Sequence, residues 1–225
     1  GRILDTLTLD AEGNVTMLRD ALGRETHTVY DRANRKTREV RPLESLSTWT
    51  YTPEGDIATA TDADNRTTSY TYTKRRQLET QTLAAETTTS TYNGSGQLVT
   101  RERPNGKTWT YAYDSAGRLA SIEDPLEHVT TFGYDAANNR TSVKDANDRT
   151  TTFAYDARNR LSGKTYPGGA AYVWRYDGDG NQTDIETPNG REITTTYDAL
   201  NRALTTTYAG AGANEASQTT RHYDG

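Results

Sequence analysis

Short stretches in which aromatic or aliphatic residues alternate with threonine or other polar residues run through the whole chain. The stretch from Thr108 to Tyr113 reads Thr-Trp-Thr-Tyr-Ala-Tyr, and Tyr172, Trp174 and Tyr176 repeat the same spacing. A period of two places these side chains on one face of a β-strand. The stretches are rich in Thr, Val, Ile, Tyr and Trp, which suit a pleated surface, and no helical period interrupts them. The pattern predicts an all-β chain.

A tyrosine returns at a nearly constant interval along the chain, and we use it as the anchor of a repeat. The step from Tyr72 to Tyr92 is one residue shorter than the usual step, and a longer last step reaches Tyr223. A fixed period of about 21 residues indicates one supersecondary unit stacked many times. We therefore predict that residues 1–225 form a single array of about ten repeats. The anchor positions are Leu9, Tyr30, Tyr51, Tyr72, Tyr92, Tyr113, Tyr134, Tyr155, Tyr176, Tyr197 and Tyr223.

The residues that follow each anchor predict a tight turn. Position +1 is mostly aspartate, whose side chain can accept a hydrogen bond from the backbone two residues on. Position +4 is glycine or asparagine in every complete repeat except one, where Arg76 stands, and these residues adopt positive φ at low cost. The aspartates are Asp10, Asp31, Asp114, Asp135, Asp156, Asp177, Asp198 and Asp224, with Asn93 in one repeat. Position +4 carries Gly13, Asn34, Gly55, Gly96, Gly117, Asn138, Asn159, Gly180 and Asn201.

A second turn is predicted half a repeat later. Position +12 is always alanine or proline, and five of the six prolines lie there. In two repeats the proline is followed by Asn-Gly, a pair that reverses the chain readily. Each repeat is therefore a pair of strands with a turn at each end. Position +12 carries Ala21, Pro42, Ala63, Ala84, Pro104, Pro125, Ala146, Pro167 and Pro188.

One further column shares the face of the anchor tyrosines, and an aliphatic column lies on the other strand. We predict that their side chains pack with the tyrosines as the apolar core, although an aromatic stripe could instead stack on sugar rings. Position −2 carries Trp49, Tyr70, Tyr111, Phe132, Phe153 and Trp174. Position +6 carries Val15, Ile57, Leu78, Leu98, Leu119 and Leu161, and the exceptions are Lys36, Arg140, Gln182 and Ala203.

Composition alone gives a different picture from the repeat pattern. A hydrophobic fraction of 32% and a mean hydropathy of −0.94 would favour disorder, but the strict period overrides that indication. About 20 strands spaced by ~4.8 Å would make a sheet ~95 Å wide, and twisted sheets of that width curl or split. Because no helix is predicted to cover a face, we expect the sheet to curl around a space about 30 Å across.

The net charge and the reactive residue types argue against several classes of function. The net charge is −5 without a basic stripe, which argues against nucleic acid as a partner. The chain has no cysteine and no long apolar run, so nothing predicts disulfides or membrane insertion. The aspartate column could be a ladder of metal ligands, but its spacing fits turns better. His27, His128 and His222 lie in different columns. We predict no catalytic, cofactor-binding or metal-binding residues, and the Asp124-Pro125 pair lies in an ordinary second turn.

The repeated segments resemble the YD repeats of the Rhs family. The resemblance is carried by Tyr113-Asp114-Ser115-Ala116-Gly117-Arg118-Leu119, by Tyr155-Asp156-Ala157-Arg158-Asn159-Arg160-Leu161 and by Tyr176-Asp177-Gly178-Asp179-Gly180-Asn181, and it extends over nearly the whole chain. This family includes bacterial polymorphic toxins, encapsulating components of insecticidal toxin complexes, wall-associated proteins and teneurins.

The resemblance implies a spiral β-sheet shell that, in the toxins, surrounds a C-terminal effector until delivery. It implies a secreted or cell-surface protein whose partners are neighbouring repeats or a shell-completing subunit, and an enclosed effector polypeptide. The chain starts in a second turn and stops in a first turn, so we expect an excerpt of a longer polypeptide or a chain that pairs at both ends. The alternative function is an adhesion array that binds carbohydrate or protein.

Overall fold

The alternating stretches form a meander of antiparallel strands. The computed structural model describes residues 6–210 and 217–221, and it contains 21 strands of one antiparallel sheet. Within these ranges the helical structure is a single 3-10 turn, Pro42–Glu44. The predicted all-β meander with no helix longer than one turn is therefore confirmed.

The chain divides into two units, Gly1–Thr110 and Tyr111–Gly225, and the boundary falls inside one strand. The first unit contains β1 (Thr6–Leu9), β2 (Val15–Arg19), β3 (Glu25–Tyr30), β4 (Lys36–Arg41), β5 (Ser45–Tyr51), β6 (Ile57–Thr61), β7 (Thr67–Tyr72), β8 (Leu78–Leu83), β9 (Glu86–Tyr92), β10 (Leu98–Glu102) and the start of β11 (Thr108–Tyr113). The second unit continues with β12 (Leu119–Glu123), β13 (Val129–Tyr134), β14 (Arg140–Lys144), β15 (Thr150–Tyr155), β16 (Leu161–Thr165), β17 (Ala171–Tyr176), β18 (Gln182–Glu186), β19 (Arg191–Tyr197), β20 (Ala203–Gly210) and β21 (Ser217–Thr220).

The strand register repeats with the sequence. Each anchor faces the +6 residue across the first turn, as Tyr134 faces Arg140 and Tyr155 faces Leu161. One residue farther from the turn the register shifts, because the +7 residue is a β-bulge. Nine such bulges occur in the described first-turn hairpins. A bulge bends its strand and increases the local twist, so the sheet carries the same distortion once per repeat.

Most second turns have the same geometry as the first turns. In the turn that starts at Asp114, the N–H of Asp114 donates to the carbonyl of Arg118, and the N–H of Gly117 donates to the carbonyl of Asp114, both at 2.9 Å. The fourth residue has positive φ in every described first turn, including Gly117 at 77° and Arg76 at 62°. This is the turn with a left-handed closing residue that the Asp and Gly/Asn columns predict. Seven second turns follow the same pattern, with their positive φ at Gly23, Asn65, Gly106, Glu127, Asp148, Gly169 and Gly190.

Two second turns differ, and one of them explains the shortened repeat. Leu83 pairs directly with Glu86 across a two-residue turn, in which Ala84 and Ala85 have φ of 50° and 68°. This turn lacks one residue of the usual form, so the step from Tyr72 to Tyr92 is one residue shorter than the usual step. The longer last step contains the long strand β20 and residues 211–216, which lie outside the described residues. Tyr223, Asp224 and His222 lie outside the described residues.

The two faces of the sheet differ, and neither is covered by a second layer in the described part of the chain. The anchor tyrosines and the −2 aromatics share one face, as the alternation predicts; Trp109 and Tyr113 lie on the same side of β11, with exposed Thr110 and Ala112 on the other. We call this side the aromatic face and the opposite side the threonine face.

The prediction of a packed apolar core is wrong. No hydrophobic side chain is fully buried among the described residues, and the one buried side chain is Glu39. The aromatic residues are half-buried, because in a single-layer sheet only neighbours on the same face can cover them.

The positive φ of Gly117 leads to a prediction. Replacing Gly117 by valine should lower the free energy of unfolding by about 1–3 kcal/mol, because a β-branched residue is strained in the left-handed region. Ser115→Val, in the same turn, is the matched control and should have a much smaller effect. Denaturant unfolding of both variants measures the difference, and equal destabilisation would contradict this account of the turn.

Candidate functional site: the tyrosine seam and the two faces

The anchor tyrosines join each repeat to the one before it. In eight described repeats the anchor hydroxyl donates a hydrogen bond to the backbone carbonyl of the +6 residue in the preceding repeat. Tyr176, for example, donates to the Leu161 carbonyl at 2.9 Å. The same bond is made by Tyr30, Tyr51, Tyr72, Tyr92, Tyr134, Tyr155 and Tyr197, at 2.6–3.2 Å. We call this row of bonds the tyrosine seam.

The strand register explains why the seam is needed. Across the second turn the strands pair over only three residues in most repeats, as in Lys144–Thr150, Val143–Thr151 and Ser142–Thr152. Toward the first turn β14 continues to Arg140 without a backbone partner in β15. A carbonyl without a donor in the sheet is costly where it is part-buried, as at Leu161, and elsewhere it must bond to water. The Tyr155 hydroxyl supplies that donor to the Arg140 carbonyl.

The aspartate next to each anchor holds the first turn together. One oxygen of Asp114 accepts from the N–H groups of Ala116 and Arg118, and the other accepts from Arg118 Nε at 2.8 Å. The backbone N–H and then the guanidinium of Arg118 lower the pKa of Asp114. In other repeats asparagine replaces this arginine, and the side-chain amide of Asn139 lowers the pKa of Asp135. The aspartates of this column therefore stabilise the turns, and their carboxylate oxygens accept hydrogen bonds within those turns.

The +5 side chain extends from this clamp to the next repeat. Asn139 Nδ2 donates to Asn159 Oδ1 at 2.9 Å, and Asn181 Nδ2 donates to Asn201 Oδ1 at 2.8 Å. Where the +5 residue is arginine, its guanidinium also lies over the next anchor ring. Arg160 is 4.3 Å from the ring centroid of Tyr176. Arg118 over Tyr134 and Arg35 over Tyr51 make the same contact, at 4.7 and 4.4 Å.

One pair of repeats makes this contact with the donor and acceptor exchanged. Here the +1 residue is Thr52 and the +5 residue is Asp56, an acceptor. The +4 residue of the next repeat is Arg76, which donates through two nitrogens to the Asp56 carboxylate, both at 2.9 Å. The Arg76 side chain is the first cause of the lowered pKa of Asp56. Arg76, the exception in the Gly/Asn column, is thus the partner that Asp56 requires.

Basic residues on the aromatic face lie over aromatic rings. Lys36 lies 5.5 Å from the Trp49 ring, and Arg140 lies 5.3 Å from Phe153 and 6.0 Å from Phe132. Such contacts are favourable because the ring face is electronegative. Lys36 and Arg140 are the two charged exceptions in the aliphatic +6 column. Their long side chains cover the aromatic face as the aliphatic residues do elsewhere.

The threonine face is held by cross-strand hydroxyl pairs. Thr50 and Thr59 approach to 2.6 Å, and Thr71 and Thr80 approach to 2.7 Å. Further pairs are Thr61–Thr67, Thr82–Thr87, Thr91–Thr100 and Thr196–Thr205, at 2.6–2.8 Å. Paired hydroxyls satisfy each other across neighbouring strands.

The described residues bring together no constellation typical of catalysis or metal binding. His27 contacts Glu25 at one exposed position, and His128 contacts Asp124 in a second turn. No cluster of three or more His, Cys, Asp or Glu residues in the described ranges could hold a metal ion. An open depression of about 610 Å³ lies between the short turn at Ala85 and the turn at Pro104. None of the helical structure described here could cross a membrane.

The tyrosine seam predicts an effect of a single hydroxyl group. Tyr176→Phe removes the donor to the Leu161 carbonyl and should lower the free energy of unfolding by about 1 kcal/mol. Tyr172 lies on the same face of the same strand, and its hydroxyl has no hydrogen-bond partner among the described residues, so Tyr172→Phe should change stability little. Urea unfolding compares the two, and equal effects would show that the seam is not stabilising.

The exchanged pair predicts non-additive mutations. Asp56→Asn and Arg76→Asn should each destabilise the chain, because each leaves a charged partner unpaired. The double variant restores the Asn–Asn contact of other repeats, and asparagine adopts positive φ more readily than arginine. It should therefore be more stable than the sum of the single effects predicts. Strictly additive effects in a double-mutant cycle would contradict this coupling.

The lowered aspartate pKa values predict loss of stability in acid. Because the folded chain holds these carboxyls ionised at lower pH than the unfolded chain does, the unfolded chain binds more protons as the pH falls. The free energy of unfolding should fall between about pH 5 and pH 3. Urea midpoints across this range measure it. An unchanged midpoint, or one that rises in acid, would contradict the role of the turn carboxylates.

Solved structures share this fold at low sequence identity. A crystal structure of TcdB2-TccC3-TEV matches with a TM-score of 0.57 and 19% identity, over 90% of this chain. A structure of the Photorhabdus luminescens Tc holotoxin pore with a substitution in TccC3 matches with a TM-score of 0.56 and 14% identity, over 96% of this chain. The chain spans only 14% and 15% of the length of those two chains. No curated protein matches the chain significantly.

The sequence itself matches a family. The family model described as RHS Repeat matches residues 92–127, 113–150, 134–171 and 176–213. Together these segments cover just over half of the chain, and each contains at least one complete first turn with its anchor tyrosine. The predicted resemblance to Rhs and YD repeats is confirmed, and the chain belongs to the RHS repeat family.

Proposed function

We propose that residues 1–225 are one continuous array within the wall of a shell, in a longer secreted bacterial protein that encloses a C-terminal toxin or effector until delivery. The observation that carries the proposal is the single-layer sheet. It has no apolar core in its described part, yet its repeats are tied together by contacts between neighbouring first turns and along the tyrosine seam. A protein that needed only to be compact would cover one face, whereas a wall requires two open faces.

The repeated bulge supports a curved wall. Each described bulge lies at the same place in its hairpin, so its added twist accumulates in one direction along each unit. Wide twisted sheets do not stay flat, and large rolled sheets enclose a lumen. The family assignment and the likeness to parts of Tc toxin assemblies agree with this proposal.

In this proposal the segment has no catalytic, cofactor-binding or metal-binding residues. Its acids form turns, and its hydroxyl groups bond to each other or to the backbone. The partners are neighbouring repeats of the parent chain or a shell-completing subunit, together with the enclosed polypeptide. Nucleic acid is not a partner, and the segment does not insert into a membrane. The parent protein acts outside the cell or at its surface.

A second function, carbohydrate recognition by an adhesion array, is favoured by one contact. The rings of Tyr172 and Trp174 stack on each other on the aromatic face, with centroids 5.4 Å apart and planes inclined by 8°. A sugar ring could stack on an outer face of such a pair. This function predicts glycan binding that is lost in Trp174→Ala, whereas the shell function does not require it.

Protease protection in the full-length parent protein tests the shell. The C-terminal region should resist a protease that digests the same region expressed alone. Replacing Tyr134, Tyr155 and Tyr176 together by phenylalanine should weaken the seam and accelerate its digestion, while Tyr172→Phe should not. Digestion at the same rate with and without the repeat array would contradict enclosure, and glycan binding through Trp174 would then favour adhesion.

A further inference from the structure

Charged residues are unequally divided between the two faces of the second unit. Every acidic residue in strands β12 to β19 lies on the threonine face, as the pairing registers show. These residues are Glu123, Asp184, Glu186 and Glu192. The aromatic face of the same strands carries Arg140, Lys164 and Arg191 and no carboxylate. The aromatic face is therefore the positive side of this part of the sheet.

Two of these basic residues, on strands β14 and β16, form no ion pair with a described residue. Arg140 contacts the rings of Phe132 and Phe153, and Lys164 lies 4.3 Å from the Tyr166 centroid and 6.0 Å from that of Phe153. On the threonine face, by contrast, Lys144 pairs with Asp148 at 2.7 Å and Arg175 lies 3.7 Å from Glu186.

We propose that the aromatic face of the second unit, around Arg140, Phe153 and Lys164, binds an extended acidic polypeptide segment. This inference rests on the proposed shell function, because it names the face that meets the enclosed chain and the chemistry that the face accepts. Carboxylates of the bound segment pair with Arg140 and Lys164, and its apolar side chains lie against the half-buried rings between them.

The spacing of the basic residues favours a polypeptide over a nucleic acid. Single-stranded nucleic acid carries a phosphate at every nucleotide and is bound by a groove of many basic residues with free aromatic faces. Here the aromatic face of strands β12 to β19 carries three separated basic residues, too few to match a phosphate at every nucleotide. A polypeptide with scattered carboxylates and apolar residues matches separated cations set among aromatic side chains.

Binding to the whole 225-residue chain tests the proposal. The probe is a fluorescently labelled random copolymer of glutamate and tyrosine, which is unfolded and acidic, and the reference is a lysine–tyrosine copolymer of equal length. The chain should bind the acidic copolymer in preference to the basic one. Arg140→Gln combined with Lys164→Gln should weaken that binding about fivefold, and added salt should weaken it further.

A matched control removes the same charge from the other face. Lys144→Gln combined with Arg175→Gln should leave the affinity nearly unchanged, and Arg140→Lys combined with Lys164→Arg should retain binding. Circular dichroism checks that each variant keeps its β-structure. Equal losses in both glutamine variants, or no preference for the acidic copolymer, would overturn the proposal. Competition by oligothymidine or an anionic polysaccharide as strong as by unlabelled copolymer would overturn the assignment to polypeptide.

The binding test and the protection test decide between the polypeptide-binding face and the shell function independently. Protection of the C-terminal region in the parent protein does not depend on Arg140 or Lys164. If the C-terminal region is protected and copolymer binding does not depend on this face, the proposed shell function is supported and the proposed polypeptide-binding face is wrong. If the face binds the acidic copolymer selectively and the C-terminal region is not protected, the proposed shell function is wrong while the polypeptide-binding face is supported.

Discussion

The hydrogen bond from each anchor tyrosine to the preceding repeat is the constraint on which the rest of the structure depends. In nine described hairpins a bulge after the first turn shifts the register, and the ladder across the second turn ends before it reaches the +6 residue, as at Arg140. The carbonyl of that residue would be left without a donor. The tyrosine reaches it from the next repeat, as Tyr155 reaches Arg140.

The remaining features follow from a sheet that is only one layer thick. No residue can be buried between layers, so stability comes from contacts between neighbouring repeats, as in other quasi-one-dimensional arrays. The Asp114–Arg118 clamp, the Arg118–Tyr134 stacking contact and the threonine pairs each act over one repeat step or less. The sheet keeps two open faces of different chemistry, and this difference allows the chain to act as a wall with two distinct surfaces.

Much of this architecture could be predicted from the sequence because the columns encode local geometry. The Gly/Asn column gives the positive φ of the first turns, and the alternation gives the faces. The absence of a core could not be predicted, because half-buried and buried aromatic residues produce the same period-two pattern. The bulge has no residue signature at +7. The sequence shows Arg76 as an exception in the Gly/Asn column. That Arg76 pairs with Asp56 of the preceding repeat is known only from the structure, because sequence spacing alone does not show contacts between repeats.

The most direct test of the account is a cryo-electron microscopy map of the parent protein at side-chain resolution. The account predicts a single-layer wall in which this segment curves around a cavity, with the aromatic face toward the cavity and density for an enclosed polypeptide against it. A second layer of protein packed on the aromatic face, forming a filled core, would contradict the account.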